Sequence, residues 1–578
     1  MKMRNKNKLS LIAFSAVLAA GFAAGGIISS AGKAKAEELS LKEHFYLEKG
    51  ASIRLKEGES GIRFSTVVSD EYREYLKTSY GEGATIEYHT IIGAGENYDN
   101  YYDIVADSFV TLGEGKSAYR AVIYYDNLKA ELEKMYADAN KSGDELDNAV
   151  NAALQAAYGV ELNAKSYVVV SENGETKATI DAYKEDNLRS VRGVALDLLL
   201  SGEETHKTEL EAYLGGEVGR AESSGAAAYY DVSASLGEME AGVPAGDYSV
   251  YYGAKKLSDV TVNENGDTVT IGGIAGLEEA KDYSVTLYNA AENKAYNRAF
   301  KAVTKVLKTA SDLEVFKATD DSSEFGGYYV LGNDIDASGY TCVTGVNGSA
   351  LGAASGRYLT NSLTGDNFNS FGLKGTFDGN GYTISNLTVG SCGMFGVING
   401  GTVKNVALKD VKFVEKQNVA TLAWYIIDAT IENVYMNAES LPAVWGRAMV
   451  ASSIYTSTVK NVVIQLKEVL GNTGEKLNVY GGYGAFGSFV SADANRVVDA
   501  GDQANVFSDV YVISTTKLSV LSKSQYDGEN TEAENKYVGI KRYDSAEEMA
   551  SARNDYSSFD KSLWSVNEGV LSFRSKGN

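Results

Sequence analysis

The chain has 578 residues and a formal net charge of −23, with 60 Gly but only two Pro and two Cys. This acidity argues against a nucleic-acid partner, because no basic stripe offsets the negative field. The two cysteines, Cys342 and Cys392, are too few for a disulfide scaffold, and either one bridge or two buried thiols remain open. The length predicts two to four domains.

The first residues predict export. A basic stretch is followed by an apolar run from Leu9 to Ile28, and Ala34-Lys35-Ala36 offers a cleavage site, which together form a signal peptide over residues 1–36. An uncleaved membrane anchor is the alternative. Cleavage removes six of the 54 basic residues and no acidic one, which leaves 48 against 77 and a net charge of −29.

No other apolar run approaches the roughly 18 residues that a membrane span requires, so no span is expected after signal cleavage. The sequence therefore predicts an extracellular protein. It is expected to be secreted, or associated with the cell wall without a covalent link.

Three regions follow the signal peptide. Residues 41–215 alternate strand-like segments with amphipathic helical patterns and predict a mixed α/β (α+β) module. Residues 216–242 are small and acidic and predict a linker. Residues 243–305 contain short alternating segments with a hairpin signal at "NENGD", and predict a small β-sandwich of immunoglobulin-like size.

Residues 306–578 contain a repeated motif, Thr then Ile or Val, any residue, Asn, then Leu or Val. Its asparagines are Asn386, Asn405, Asn433 and Asn461. Recurrence at spacings of 19, 28 and 28 residues indicates a stacked solenoid. Strands this short do not fold alone, whereas stacked coils bury a continuous aliphatic column and bring equivalent asparagines about 4.8 Å apart. We therefore predict a β-helix with a structural asparagine ladder. "VFSDVYV" around Asp509 fits a weaker fifth copy.

A second face of each coil is predicted from "GMFG" (Gly393–Gly396) and "GAFG" (Gly484–Gly487). Between them, "TLAWYI" (Thr421–Ile426) and "RAMVAS" (Arg447–Ser452) are expected to take the same place.

The stretch "GLKGTFDGNGY" (Gly372–Tyr382), with "GMFG" and "GGTVKNV" after it, resembles the GLUG-type repeats of secreted and surface proteins of bacteria. The lead-in at Ser311–Ser338 and the ending at Ser562–Phe573 also resemble that family. The resemblance implies a right-handed parallel β-helix and an extracellular role, without one activity. The N-terminal module is similar to one that recurs in secreted proteins of Gram-positive anaerobes.

Catalytic chemistry has little support in the sequence. "DGNG" (Asp378–Gly381) lacks the distal Glu of a calcium loop and predicts a tight turn. Residues 306–578 contain no His, which excludes a Ser-His-Asp or His–metal site there. Carboxylates for polysaccharide cleavage are available if they converge: Asp334, Asp336, Asp378 and Asp410. We predict no catalytic residue, no metal ligand and no cofactor.

Aromatic residues are the stronger functional signal, since exposed rings stack on sugars or anchor protein contacts. The candidates for binding are Trp424, Tyr425, Tyr435, Trp445, Tyr455, Tyr480 and Tyr483. Filling of the core or of corners is the alternative for each ring. In the first module, "ENYDNYYD" (Glu96–Asp103) predicts a contact loop or a polar loop with folded-back rings. Four arginines there predict either a buried network or separate pairs: Arg54, Arg63, Arg189 and Arg192.

The sequence thus predicts a multidomain, mainly β protein with an α/β module, a small β-sandwich and a right-handed parallel β-helix. The function it favours is a secreted or cell-surface binding or adhesion protein that presents a β-helix face to a glycan or a host surface protein. Two alternatives stay open: a polysaccharide-degrading lyase or glycosidase on the β-helix, and a structural spacer of the cell envelope.

Overall fold

The fold was analysed in a computed structural model. The structure describes residues 39–224, 228–233, 238–265, 268–316, 324–342, 372–390, 393–414, 419–442, 447–469, 483–484, 506–514 and 539–577. The predicted signal peptide, residues 1–36, lies outside these ranges, and so does Cys392. Strands dominate, and the chain is mainly β with several separate sheets.

Backbone contacts divide the chain into two compact units. The first unit comprises Met1–Ala228, Glu240–Ile274 and Tyr283–Ala299, and the second comprises Tyr229–Met239, Ala275–Asp282 and Phe300–Asn578. The helices of the described residues are α1 Leu41–His44, α2 Asp70–Tyr80, α3 Tyr125–Asp138, α4 Asp144–Tyr158, α5 Val191–Leu200, α6 Lys207–Ala212 and α7 Ala546–Ser551. Within the described ranges, every helix is too short or too polar to cross a lipid bilayer.

The first ten strands form two sheets. They are β1 Phe45–Leu47, β2 Ser52–Arg54, β3 Gly61–Ser69, β4 Thr85–Ala94, β5 Asp99–Val105, β6 Val110–Gly113, β7 Lys116–Tyr124, β8 Leu162–Glu172, β9 Glu175–Asp181 and β10 Tyr183–Lys184. One sheet has the order β10-β1-β3-β7-β6 with β2 beside β3, and the other has the order β5-β4-β8-β9. The buried hydroxyl of Ser166 in β8 joins the two sheets, since it lies 2.6 Å from that of Thr66 in β3; it also lies 2.8 Å from that of Thr90 in its own sheet.

The next strands are β11 Gly219–Glu222, β12 Ala228–Asp231, β13 Glu238–Glu240, β14 Ser249–Tyr252, β15 Lys255–Lys256, β16 Thr261–Asn265, β17 Thr268–Gly272, β18 Asp282–Asn289 and β19 Lys294–Val303. The predicted hairpin pairs β16 with β17 in antiparallel register. Residues 216–242, predicted as a linker, instead contribute three strands, and β11 pairs in parallel with β19. The small, acidic composition predicted a linker, but short segments such as "AYYD" alternate buried and half-buried positions and form strands.

The second unit is dominated by parallel strands. These are β20 Lys305–Leu307, β21 Glu324–Phe325, β22 Tyr328–Leu331, β23 Ile335–Asp336, β24 Thr341–Cys342, β25 Gly372–Leu373, β26 Thr376–Asp378, β27 Thr383–Ser385, β28 Thr388–Val389, β29 Val397–Asn399, β30 Thr402–Phe413, β31 Val419–Ala420, β32 Ala423–Ile427, β33 Thr430–Leu441, β34 Arg447–Ala448, β35 Ala451–Tyr455, β36 Thr458–Val469, β37 Tyr483–Gly484, β38 Val506–Ser514 and β39 Ile540–Tyr543. An antiparallel hairpin follows, β40 Trp564–Asn567 and β41 Val570–Phe573.

Three parallel sheets run through this unit. The long sheet has the order β20-β22-β26-β30-β33-β36-β38-β39, the second sheet β21-β25-β29-β32-β35, and the third β31-β34-β37. In the long sheet, equivalent residues of successive strands lie side by side and form one buried aliphatic column: Ile335, Ile384, Leu408, Met436, Ile464 and Val512. Burial of this column is the main apolar contribution to holding the strands together.

The segments predicted to replace one another along the chain do stack. The backbone N–H of Phe395 in "GMFG" donates to the carbonyl of Leu422, and the N–H of Leu422 donates to that of Val450. This confirms that "GMFG", "TLAWYI" and "RAMVAS" occupy equivalent places. "GAFG" lies largely outside the described residues. Cys342, in the same unit, is a buried free thiol, and burial raises its pKa to about 12.

Residues 539–577, the C-terminal segment, cover the outer side of the long sheet. Rings of Phe559 and Trp564 join a buried cluster that includes Tyr511 of the long sheet. Further along, the N–H of Lys576 donates to the carbonyl of Gly381 (2.9 Å). The segment therefore runs from the last strands of the sheet back to its first ones.

An asparagine column links successive strands of the long sheet. Each side-chain amide donates to the residue before it: Asn405 to Asp378 (3.0 Å), Asn433 to Asn405 (3.2 Å) and Asn461 to Asn433 (3.1 Å). The three asparagines have φ values of 56°, 53° and 52°. Asparagine is selected twice here, because it tolerates the left-handed backbone and its amide both donates and accepts.

Asn386 does not belong to this column, although its motif is the same. Its amide donates to Asp336 (2.9 Å), and the next strands continue a second column in which Asn437 donates to Asp410 (3.2 Å). Asn386 and Asp410 (φ 58° and 54°) are the left-handed residues of this second column, and β30 holds one residue of each column, Asn405 and Asp410. The spacing of 19 residues was the sign of this change, since partners within the first column lie 27 or 28 residues apart.

Substitution of Asn433, the middle asparagine of the column, separates the backbone role of asparagine from its hydrogen-bonding role. Asn433→Ala loses both amide bonds and puts alanine, which adopts the left-handed backbone less readily than asparagine, at φ 53°; we expect a loss of about 2–4 kcal/mol of stability. Asn433→Gly loses the bonds alone and should cost about 1 kcal/mol less. All three tryptophans, Trp424, Trp445 and Trp564, lie in the second unit, so tryptophan fluorescence reports its thermal unfolding. Glu439→Gln, at an exposed position, is the control. Equal melting temperatures for the alanine and glycine variants would contradict the backbone role.

Candidate functional site

The aromatic candidates from the sequence give one described side chain. Tyr435 is half-buried beside the C-terminal cluster, and its hydroxyl donates to Gln465 (2.8 Å). Burial, with a smaller effect of Asp410, raises its pKa to about 12. Tyr435 is therefore packed against the C-terminal segment. The side chains of the other six lie outside the described part of the chain: Trp424, Tyr425, Trp445, Tyr455, Tyr480 and Tyr483.

Three of the candidate carboxylates serve the turns in which they lie. Each accepts hydrogen bonds from its own or a neighbouring turn: Asp334 from the Thr383 N–H and the Ser575 hydroxyl, Asp336 from Ser338 and Asn386, and Asp410 from Asn437. These bonds fix the geometry of the bends, and they do not bring the three carboxylates into one groove.

Asp378 is the exception, since it gathers residues from several strands. It is 4% exposed and accepts from the Tyr328 hydroxyl (2.7 Å), the Asn405 amide (3.0 Å) and the Asn380 N–H (2.8 Å). The Lys404 ammonium lies 3.4 Å from the same carboxylate oxygen that accepts the Tyr328 hydroxyl. This shell compensates a buried negative charge, which would otherwise be costly.

Tyr328 is half-buried and links the buried Asp378 to two lysines. The ammonium groups of Lys404 and Lys301 lie 5.6 and 5.8 Å from its ring centroid, within the range of cation–π attraction. Lys301 also forms an ion pair with Asp282 (2.7 Å). Burial and the Asp378 carboxylate raise the pKa of Tyr328 far above its usual range, so its hydroxyl stays a donor.

Asn380 forms the other half of the site. Its side-chain oxygen accepts from the Tyr229 hydroxyl (3.2 Å) and from the Lys576 ammonium (2.6 Å), which lies 5.8 Å from the ring of Tyr382. Burial lowers the pKa of Lys576, whereas burial followed by the Asp378 charge raises that of Tyr229 to about 12. We call the whole group the tyrosine–lysine cluster: Tyr229, Tyr328, Tyr382, Lys301, Lys404 and Lys576, around Asp378 and Asn380.

The chemistry of this cluster suits binding. At neutral pH its raised tyrosine pKa values keep the phenols of Tyr229 and Tyr328 protonated, which disfavours proton transfer and favours hydrogen-bond donation. Among the described residues, no group of three His, Cys, Asp or Glu is arranged to hold a metal ion. Sequence reasoning missed this site because Tyr229 and Lys576 lie 151 and 196 residues from Asn380.

A histidine–aspartate pair occurs in the first unit. His89 Nδ1 lies 3.1 Å from Asp103, which also accepts from the Tyr167 hydroxyl (2.8 Å). The Nε2 atom of His89 is buried and, among described atoms, has no hydrogen-bond partner. A triad would need a nucleophile at that atom, so this pair does not form one.

The four arginines of the first module make separate pairs. Arg54 binds Glu59, Arg63 donates to Ser52 (2.9 Å), Arg189 binds Asp186 (3.5 Å) and Arg192 donates to Gln155 (3.1 Å). In the tyrosine-rich stretch, Tyr101 is exposed, whereas Tyr102 lines a small apolar cavity with Ile92 and Ile123.

The raised pKa of Tyr229 predicts a specific loss of stability in alkali. The folded phenol ionises near pH 12 and the unfolded one near pH 10, so its contribution is complete below pH 10 and is lost as the pH rises to 12. Tyr229→Phe should be slightly less stable than the natural chain at pH 8, by about 1 kcal/mol, through loss of the bond to Asn380. Toward pH 12 this order should reverse. Thermal unfolding followed by tryptophan fluorescence measures both, and a constant difference would contradict the assignment.

Comparison with known proteins adds one match. Residues 277–437 match the family described as the M26 IgA1-specific metallo-endopeptidase N-terminal region, and no curated protein matches the chain. The matched range includes Lys301, Tyr328, Asp378 and Lys404 of the tyrosine–lysine cluster. It spans less than a third of the chain. The match supports a secreted bacterial protein that resembles this N-terminal region over the first strands of the long sheet.

Proposed function

We propose that this chain is a secreted or cell-surface bacterial binding protein whose second unit is a right-handed parallel β-helix of GLUG-type repeats. The parallel, in-register sheets and the asparagine columns support this architecture. On it, the tyrosine–lysine cluster binds a glycan. The signal sequence and the family match support an extracellular place of action.

The single observation that carries the proposal is the arrangement around Tyr328. Its ring is held by the Asp378 hydrogen bond and lies beside two ammonium groups, from Lys301 and Lys404. A ring fixed before binding loses little entropy on contact, and ammonium groups donate to sugar hydroxyls and carboxylates. Sugars are recognised by such combinations of an aromatic ring and polar donors.

Catalysis is less well supported than binding. The sequence has no H-E-x-x-H motif, the usual zinc site of metallopeptidases, since Phe45, Thr90 and Lys207 follow its three histidines. Of the acidic candidates for a lyase or glycosidase, Asp334, Asp336 and Asp410 accept hydrogen bonds that hold turns, and Asp378 is buried among its hydrogen-bond donors. A spacer role would not require the lysines and tyrosines to gather at one place.

A glycan array, with a parallel screen for polysaccharide cleavage, tests this function on the mature chain. We expect binding without cleavage, and about tenfold weaker binding for the double variant Lys301→Gln and Lys404→Gln. Tyr328→Phe, which keeps the ring, should weaken binding less. Lys467→Gln, an exposed lysine paired with Glu439, is the matched control.

Other results assign the other functions. Cleavage of any polysaccharide would favour the enzyme, and binding to host proteins alone would replace the glycan by a protein ligand. A result with neither glycan binding nor polysaccharide cleavage would favour the spacer. Unchanged glycan binding in the double lysine variant would remove the cluster as the site.

A further inference from the structure

One sheet of the first unit has an outer side that collects tyrosine and basic side chains. Paired residues of neighbouring strands project to the same side of a sheet. Tyr183 of β10, Tyr46 of β1 and Val67 of β3 form one such row. Val67, Ser65 and Arg63 are alternate residues of β3. In β7, Arg120 pairs with Ser65 and Val122 pairs with Arg63. These rows share one face.

Basic side chains spread over this face. The ammonium of Lys116 lies 5.8 Å from the ring of Tyr46, and that of Lys42 lies 5.5 Å from the ring of Tyr183. Arg120 is exposed, and Arg63 is half-buried. Val67 and Val122, on the same side, are buried. We call this the arginine–tyrosine face: Tyr46, Tyr183, Lys42, Lys116, Arg63 and Arg120.

The positive charge of the face is poorly compensated. Among the described residues, no carboxylate oxygen lies within 4.0 Å of the charged nitrogens of its four basic side chains: Lys42, Lys116, Arg63 and Arg120. Neighbouring Arg54 is paired with Glu59, and Glu48 acts on Arg63 only at longer range. Burial, then the charges of Arg120 and Arg54, lowers the pKa of Arg63. Repulsion among cations destabilises the free protein and is relieved by an anion.

We propose that the arginine–tyrosine face binds an anionic polysaccharide, one whose sugars carry carboxylate or sulfate groups. Guanidinium groups donate in pairs to such oxyanions, and the tyrosine rings offer surfaces for the sugar rings. The sheet places these groups across the adjacent strands β10, β1, β3 and β7, which suits an extended chain. This site lies in the first unit and does not depend on the tyrosine–lysine cluster.

A polysaccharide fits this face better than a purely charged ligand, because the two tyrosine rings offer contacts to sugar rings. Binding of duplex DNA is accordingly a result that would overturn the proposal.

Binding of three probes to the mature chain tests the proposal: dextran sulfate, polygalacturonate and neutral dextran. We expect both anionic polymers to bind, more weakly as salt rises, and neutral dextran not to bind. The double variant Lys116→Gln and Arg120→Gln should bind them about tenfold more weakly. The control, Lys134→Gln and Lys177→Gln, makes the same change of charge elsewhere in the first unit. Equal losses in the two variants would show that only net charge matters and would contradict a defined face.

A third variant tests the sugar contact. Tyr183→Ala removes an edge-strand ring that is 36% exposed, and it should weaken polygalacturonate binding several-fold without changing the salt dependence. Duplex DNA bound as tightly as dextran sulfate would overturn the assignment to polysaccharide. The double variant Lys301→Gln and Lys404→Gln, in the second unit, should leave binding of these probes unchanged. The two proposed sites are therefore tested independently.

Discussion

The second unit depends on a left-handed bend that recurs at the same point of successive strands. Asn405, Asn433 and Asn461 hold this conformation, and each amide reaches the strand before it. The column fixes the register of the long sheet, and a fixed register brings Leu408, Met436 and similar residues into one aliphatic column. A slip by one residue would turn that column outward, so polar bends and apolar core specify the same alignment.

The column also explains where the candidate site lies. Its first member is Asp378, a carboxylate, which receives the Asn405 amide on one oxygen and the Tyr328 hydroxyl on the other. Asp378, the first residue of the asparagine column, therefore also binds Tyr328 and Lys404 of the tyrosine–lysine cluster. The C-terminal segment returns to the same place and adds Lys576. The tyrosines and lysines of the cluster gather at the first strands, whereas Tyr435 of the middle strands packs against the C-terminal segment.

Local patterns predicted the parts of this protein that repeat. The 28-residue period identified Asn405, Asn433 and Asn461, and the "GMFG" segments identified a second stacked face. The same motif misplaced Asn386, because left-handed asparagine also occurs in the second column. The tyrosine–lysine cluster had no local signal, since Tyr229, Asn380 and Lys576 meet only through the fold. The sequence pointed to Arg63 among the arginines of the first module. Arg120 lies on the same face as Arg63 only through the pairing of β3 with β7.

A double-mutant cycle between Asn433 and Asn461 tests most directly whether the column couples successive strands. The two residues share one hydrogen bond of 3.1 Å across 28 residues of sequence. Tryptophan fluorescence of the two alanine variants and of the double variant gives the coupling free energy of the pair. We expect about 1 kcal/mol of favourable coupling. Strictly additive losses would contradict it, since they would mean that each asparagine serves its own bend alone.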